Sequence, residues 1–320
     1  MEQKTSVLNF EPSLKAFRED VLQGMRVRPR SLPCKYFYDE RGSQLFDAIC
    51  ELDEYYLTRA ELAIMRENAA EIAKQIGPAA MLVEYGSGSS IKTRLLLQQM
   101  AQPAAYVPVD ISREHLQSVA NELNEAFPRI EVLPVCADFT KPFELPRSQQ
   151  ALTHNVVYFP GSTIGNFQPA QARALLSRIA PLCGTGGGLI IGIDLKKDIA
   201  TIEAAYDDMD GVTADFNLNL LERINRQLDG DFDLDQFEHS ANYSVEHGRV
   251  EISVISQRQQ VVTVADEPFH ISAGESIRTE YSHKYTVEEF SLTARGVGLV
   301  LKQHWTDSDE LFAVLHLVVA

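Results

Sequence analysis

Between residues 80 and 195, short apolar runs alternate with helix-length segments, and that rhythm restricts the fold more than any other feature. MLVEY (81–85), AYVPVD (105–110), IEVLPVCAD (130–138), NVVYFPGS (155–162) and GGGLIIGIDL (186–195) are short, apolar and bounded by turn residues, so they predict strands. Helices are predicted between them at 90–100, 112–127 (with Ser112 as N-cap) and 169–182. Strands separated by helices of this length imply right-handed βαβ units and a parallel sheet.

The flanking text reads differently. Residues 9–24 predict a helix with Leu14, Phe17, Val21 and Leu22 on one face, and 30–42 predict a loop. Helices are expected at 43–51 and 58–77, the second with Thr58 capping and Glu61 completing a capping box. Helical text runs from 197 to 228. It gives way to alternating apolar residues with a His-Gly turn at 247–248, which predicts antiparallel β-structure. After 285, a helix (VEEFSLTARG) leads into two strands joined by TDSDE, a hairpin closing the sheet.

With 320 residues, two domains are expected. The βα text (58–196 and 286–320) forms one, and the separated segments 1–57 and 197–285 form a second, α+β one. The 29 basic and 45 acidic residues give a charge of −16, so phosphate backbones and anionic membranes should repel the chain. No apolar run is long enough to span a bilayer, and the first residues lack a secretory pattern, so a cytoplasmic location is expected. Cys34, Cys50, Cys136 and Cys183 form no C-x-x-C pair, the eight histidines are scattered, and no metal is expected. No nucleic-acid partner is expected, and the chain is expected to act as a monomer on a small molecule.

A cofactor constellation sits on consecutive strand ends. Gly86 and Gly88 follow the first strand in an E-x-G-x-G turn, where glycines permit positive φ and close backbone approach. A nicotinamide site would continue to a third glycine, but that position is Ile91. The pattern is instead that of an S-adenosylmethionine (SAM) turn. Asp110 ends the second strand, where a carboxylate can accept both ribose hydroxyls. Asp138 ends the third and can accept from the adenine amino group, with Phe139 packing on the ring. Lys92 can meet the carboxylate of SAM. Singly, these are also an unliganded turn, a helix-dipole partner, a turn Asp and a solvated lysine. Their joint occurrence is the stronger signal.

The segments KYFYDERGSQLFDAI (35–49), ELDEYYLTRAE (51–61), EYGSGSSIKT (84–93), FPGSTIGNF (159–167), AYDDMDGVTADFN (205–217) and TEYS (279–282) carry a further signal. Through them, essentially the whole chain resembles the ergothioneine-pathway L-histidine Nα-methyltransferase family. The resemblance implies a Rossmann-like class I SAM methyltransferase sheet with a C-terminal hairpin, plus an inserted substrate domain. The activity it implies is three successive methyl transfers from SAM to the α-amine of L-histidine. Its SAM contacts fall on Gly86, Lys92, Asp110, Asp138 and Phe139. Tyr55, Asn166 and Tyr206 match positions holding the amino acid's carboxylate and amine, and Tyr38 and Thr163 match polar groups near the amine. Glu280 and Ser282 match the pair recognising imidazole, and Phe46 and Ile252 belong to the same pocket.

The chemistry agrees with those roles. Transfer is an in-line displacement by a neutral amine, which must be held in position and relieved of its protons. Tyr hydroxyls and an Asn amide suit a carboxylate, and Glu280 can accept an imidazole N–H while Ser282 serves the other nitrogen. Without the resemblance, the tyrosines read equally as core residues, Asn166 as a loop Asn, and Glu280 and Ser282 as a solvated strand face. Two positions depart from the family: Ile252 stands where a Met is expected, and Tyr281 is bulkier than the expected residue. Two rival functions stay open. One is the same chemistry on tryptophan or another amino acid; the other is non-catalytic SAM or amino acid binding.

Overall fold

A computed structural model describes residues 7–10, 13–88 and 90–320. Residues 1–6, the 11–12 portion of the expected first helix, and Ser89 of the Gly-rich turn lie outside the described residues. The chain divides into two compact units. Unit 1 contains Met1–Glu11, Leu57–Lys196 and Lys284–Ala320; unit 2 contains Pro12–Tyr56 and Lys197–His283.

Unit 1 is built on one sheet. Its parallel strands lie in the order Leu8–Phe10, Val135–Ala137, Ala105–Asp110, Ala80–Tyr85, His154–Phe159, Gly188–Asp194. Phe312–Val319 and Leu299–Thr306 then add antiparallel, which is the hairpin expected from the C-terminal text. The strands Ala80–Tyr85 and Gly188–Asp194 are buried along their whole length. Met81, Val83, Val107, Ile191 and Leu315 belong to a hydrophobic core they share with Phe290 and Ala294 of the helix Val287–Arg295.

Four local expectations are corrected. The third apolar run splits into Glu131–Val132 and Val135–Ala137, because Pro134 has no N–H to give the ladder. Asn9 and Phe10, expected as the start of a helix, belong to the strand Leu8–Phe10 beside Val135–Ala137. The helix begins only at Leu14, where the Ser13 hydroxyl accepts from Ala16 N–H at 3.2 Å. Helix Tyr56–Ile76 starts before Thr58, so Thr58 caps nothing and Glu61 is drawn into the interior. Ser112 precedes helix Arg113–Ala126 without a side-chain capping bond.

Unit 2 has a four-stranded sheet in the order Arg30–Ser31, Ser276–His283, Arg249–Ser256, Phe237–Ser244. The last two form the expected hairpin, with Gly248 at φ 61° in its turn. Residues 30–42 are not all loop: the strand Arg30–Ser31 and the 3₁₀ turn Cys34–Phe37 precede helix Glu40–Glu51. The helical text after 197 breaks into Ile199–Ala204 and Val212–Leu228. The Asp208 carboxylate starts the second of these by accepting from Val212 N–H (2.9 Å) and Thr213 N–H (2.8 Å). Among the described residues, no helix is long and apolar enough to cross a membrane.

One irregularity in unit 2 matters for the site. Ile252 pairs with Glu280, but the next residue, Ser253, pairs with Arg278, leaving Thr279 as a bulge. Its hydroxyl bonds Ile252 O at 3.2 Å. Side chains alternate along a strand, so the extra residue puts Arg278 and Tyr281 on one face. Glu280, Ser282 and Ile252 share the other.

Candidate active site

In a doubly wound sheet, ligands bind beyond the carboxyl ends of the strands where the strand order reverses. In unit 1 that point lies between Ala80–Tyr85 and His154–Phe159. The turn leaving the first of these holds Gly86 at φ 72° and Gly88 at φ 44°, conformations that a side chain would strain. Gly88 N–H donates to Asp110 Oδ2 (3.2 Å) and Ser112 N–H to Asp110 Oδ1 (2.9 Å). The sheet therefore fixes the Asp110 carboxylate against the Gly turn, and each oxygen keeps a lone pair for a ribose hydroxyl. Ser87, between the glycines, has a buried hydroxyl with no partner among the described residues, as a ligand-facing turn would leave it.

Asp138 is buried, and its Oδ1 accepts from Thr140 N–H at 2.9 Å and from the Thr140 hydroxyl. Half of this carboxylate is thus committed to the turn that positions it. Phe139 stacks on Tyr85 with centroids 5.2 Å apart and meets Phe159 edge-on at 5.4 Å. These aromatics continue the hydrophobic core to the strand ends.

Lys92 does not stand free in solvent. It pairs with Glu61, whose side chain is fully buried, and the same Glu61 oxygen accepts from Gly161 N–H at 2.8 Å. Beyond Gly161, Ser162 turns at φ 56° and the 3₁₀ segment Thr163–Asn166 follows. Thr163 Oγ1 donates to Pro160 O at 3.0 Å, and Asn166 closes the segment half-buried.

Glu84, the acidic member of the E-x-G-x-G turn, points inward. It accepts from Thr93 Oγ1 at 2.6 Å and from the Tyr106 hydroxyl. Burial pushes its carboxyl up to about 8, against the lowering effect of those two hydrogen bonds. Its work is to hold the turn.

Unit 2 brings seven predicted residues into one neighbourhood. Tyr38 meets Phe46 edge-on at 5.6 Å, Phe46 meets Tyr55 at 6.3 Å, and Tyr55 meets Tyr206 at 6.2 Å. Tyr206 OH then lies 2.7 Å from Ser282 Oγ. Ser282 shares its strand face with Glu280, and Ile252 stands directly across from Glu280. Burial raises the Tyr55 hydroxyl well above its ordinary value, and nearby Tyr206, Cys50, Tyr38 and Glu280 add to the effect. Tyr55 is therefore a neutral donor at physiological pH. Burial likewise pushes the Cys34 thiol up to about 12, with Glu280 contributing.

Tyr281 takes no part in this cluster. It lies on the opposite strand face, with Arg249 at 3.7 Å and Arg278 at 4.3 Å from its ring centroid. Its size therefore does not enter the pocket face, whereas Ile252 does.

The family model for histidine-specific, SAM-dependent methyltransferases matches residues 17–319. The chain belongs to that family. It is 41% identical over 306 residues to a histidine Nα-methyltransferase of Mycolicibacterium smegmatis, covering 94% of both chains. It is 40% identical to the histidine Nα-methyltransferase of Mycobacterium tuberculosis, covering 91% of both. An ergothioneine biosynthesis protein 1 of Neurospora crassa is 30% identical over 88% of this chain, which spans 32% of that longer protein. This histidine-specific methyltransferase family member is a SAM-dependent enzyme, and its unit 1 sheet is the class I methyltransferase sheet.

Two residues of this family member escaped sequence reasoning. Glu61 read as a helix cap, since capping boxes are local patterns and nothing local marks a carboxylate destined for burial. Phe216 fell within the helical text 197–228 with no role assigned to it. It lies 5.7 Å from Tyr38, 6.0 Å from Phe46 and 4.6 Å from Phe37, at the centre of the aromatic cluster. Its place within the 205–217 motif was the available signal.

Proposed function

We propose that this enzyme transfers methyl groups from SAM to the α-amine of L-histidine, three in succession. The product is Nα,Nα,Nα-trimethyl-L-histidine, and the step opens ergothioneine biosynthesis. We further propose that it works as a cytoplasmic monomer. The curated relatives at 41% and 40% identity carry the choice of amino acid. One observation carries the assignment of the acceptor residues: Tyr206 and Ser282 joined at 2.7 Å on the strand face that bears Glu280.

SAM supplies a methyl carbon on a sulfonium, so no metal or phosphate cradle is needed for the transfer. In unit 1, Asp110 accepts the ribose hydroxyls, Asp138 and Phe139 take the adenine, and the Gly86–Gly88 backbone and Lys92 hold the amino acid end. Tyr55, Tyr206 and Asn166 grip the carboxylate and amine of histidine, with Tyr38 and Thr163 near the amine. As a donor that stays protonated, Tyr55 suits a carboxylate and cannot serve as the base at neutral pH. Glu280 accepts an imidazole N–H and Ser282 serves the second ring nitrogen. Each methyl transfer removes an N–H from the amine, so orientation passes progressively to the carboxylate and imidazole grips. An indole has one ring nitrogen and would leave one of the two polar groups unsatisfied, at a cost of about 1–3 kcal/mol.

The test is mass spectrometry of the purified protein incubated with SAM and an equal mixture of the twenty amino acids. The expected product is histidine bearing three methyl groups, with three equivalents of S-adenosylhomocysteine. Methylation of tryptophan instead would move specificity away from the Glu280–Ser282 pair. SAM binding without any methylated amino acid would defeat the enzymatic reading.

A further inference from the structure

The least economical feature of unit 1 is Glu61. A carboxylate inside a protein is costly unless its charge and lone pairs are met. Glu61 has no solvent exposure, yet its Oε1 has no hydrogen-bond partner among the described residues. Space for that oxygen exists because residue 192 is glycine: a Cβ there would lie 2.6 Å from Oε1. The other oxygen does double duty, holding Lys92 Nζ and Gly161 N–H. Gly161 has φ +75°, and a Cβ there would come within 3.9 Å of Lys92 Nζ and 3.5 Å of Thr163 Oγ1.

One side chain from helix Tyr56–Ile76 therefore sets an ammonium on the neighbouring helix Ile91–Gln99 and the start of the turn leading to Thr163 and Asn166. As a stability device this is poor, since apolar packing replaces a buried pair at little cost or with gain. It is well suited to holding an ammonium in place. Lys92 keeps 18% side-chain exposure, and an ammonium has three donors, of which Glu61 takes one.

We propose that Glu61 is a positioning residue: it fixes Lys92 Nζ so that the remaining N–H groups meet the carboxylate of the methyl donor. This rests on the reading of Lys92 as that carboxylate's partner. Glu61 touches neither substrate and acts through Lys92.

The experiment is a double-mutant cycle on SAM affinity, measured by titration calorimetry on the full chain. The variants are Lys92→Met, Glu61→Gln and the pair. Glu61→Gln keeps the shape and an acceptor for Gly161 N–H but drops the charge that holds the ammonium. Each single change is expected to weaken SAM binding roughly tenfold, and the pair to be no weaker than Lys92→Met alone. A purely structural role would instead give independent, additive losses, and would overturn the proposal. So would Glu61→Gln binding SAM like the parent while Lys92→Met is weakened. If Lys92→Met itself leaves SAM affinity intact, the Lys92 reading fails and the proposal falls with it. Should Glu61→Gln not fold, Glu61→Asp serves. It keeps the charge but withdraws it by one methylene, and is expected to lose SAM affinity by the same route; unchanged affinity would refute the proposal.

Discussion

The two units assemble their candidate residues by opposite means. Unit 1 takes its proposed cofactor group from one stretch, 86–139, and relies on backbone turns and on carboxylates tied to them, as Asp110 is tied to Gly88 and Ser112. Unit 2 draws on positions 38, 46, 55, 206, 252, 280 and 282, and relies on side chains meeting across an aromatic cluster. The first arrangement follows from the connectivity of the sheet, because consecutive strand ends must lie side by side. The second follows from which side chains happen to face the same way. A fold can therefore keep its methyl donor while the identity of the acceptor is left to a few substitutions.

The sharpest break in that comparison should come from Asp110→Ala. Loss of a charged acceptor for two hydroxyls, and of the turn it anchors, is expected to weaken SAM binding on the order of 100-fold, with L-histidine affinity unchanged by calorimetry. Next come Tyr206→Phe and Ser282→Ala. Each should raise the KM for histidine about tenfold without altering SAM affinity, and the double variant should be no worse than either. Equal losses for both substrates would show that the two groups of residues are not separable.

A third prediction concerns stability. Burial lifts Glu84 to about 8 from an ordinary 4.5, so between those values the folded chain keeps a proton the unfolded chain has released. Stability contributed by neutral Glu84 is present below the lower value and is lost as pH rises through the higher one. Glu84→Gln, which cannot ionise, should melt like the parent at pH 4 and a few degrees higher at pH 8.5. A parallel shift at both pH values would contradict that account.

The smallest effects belong to the strand that carries Glu280. Ile252→Met should shift the ratio of histidine to tryptophan turnover by a few-fold at most, since the change conserves apolar character and volume. Tyr281→Thr should leave that ratio untouched, because its ring is held by Arg249 and Arg278 on the other face. A change in specificity on Tyr281→Thr would mean that the two faces are coupled.

What could be read in advance follows the same division. Apolar runs, the Gly-rich turn, the His-Gly hairpin and the terminal hairpin are local patterns, and they located the sheet and its cofactor turn. The family motifs named the candidate acceptor residues, but no periodicity linked Tyr38 to Ser282; tertiary packing does that. Local rules misled where a distant partner outweighed them. Glu61 abandons its capping pattern for Lys92 and Gly161, and the helical text after 197 yields to Asp208, which accepts the first N–H groups of a new helix. The bulge at Thr279 leaves no periodic trace, since it is defined by the partner strand.

That bulge bears on how such an enzyme can diversify. Thr279 is the residue the ladder leaves unpaired: without it Arg278 would still oppose Ser253 and Glu280 would still oppose Ile252, whereas loss of a paired residue such as Tyr281 would turn Ser282 off that face. Point substitutions at 252, 280 and 282 explore neighbouring chemistries one contact at a time, and loss of the single codon for residue 279 would leave that face where it is. The bulge is thus slack in the strand's length: a search for new acceptors can vary positions 252, 280 and 282 and tolerate a change of length at 279, but not between 280 and 282.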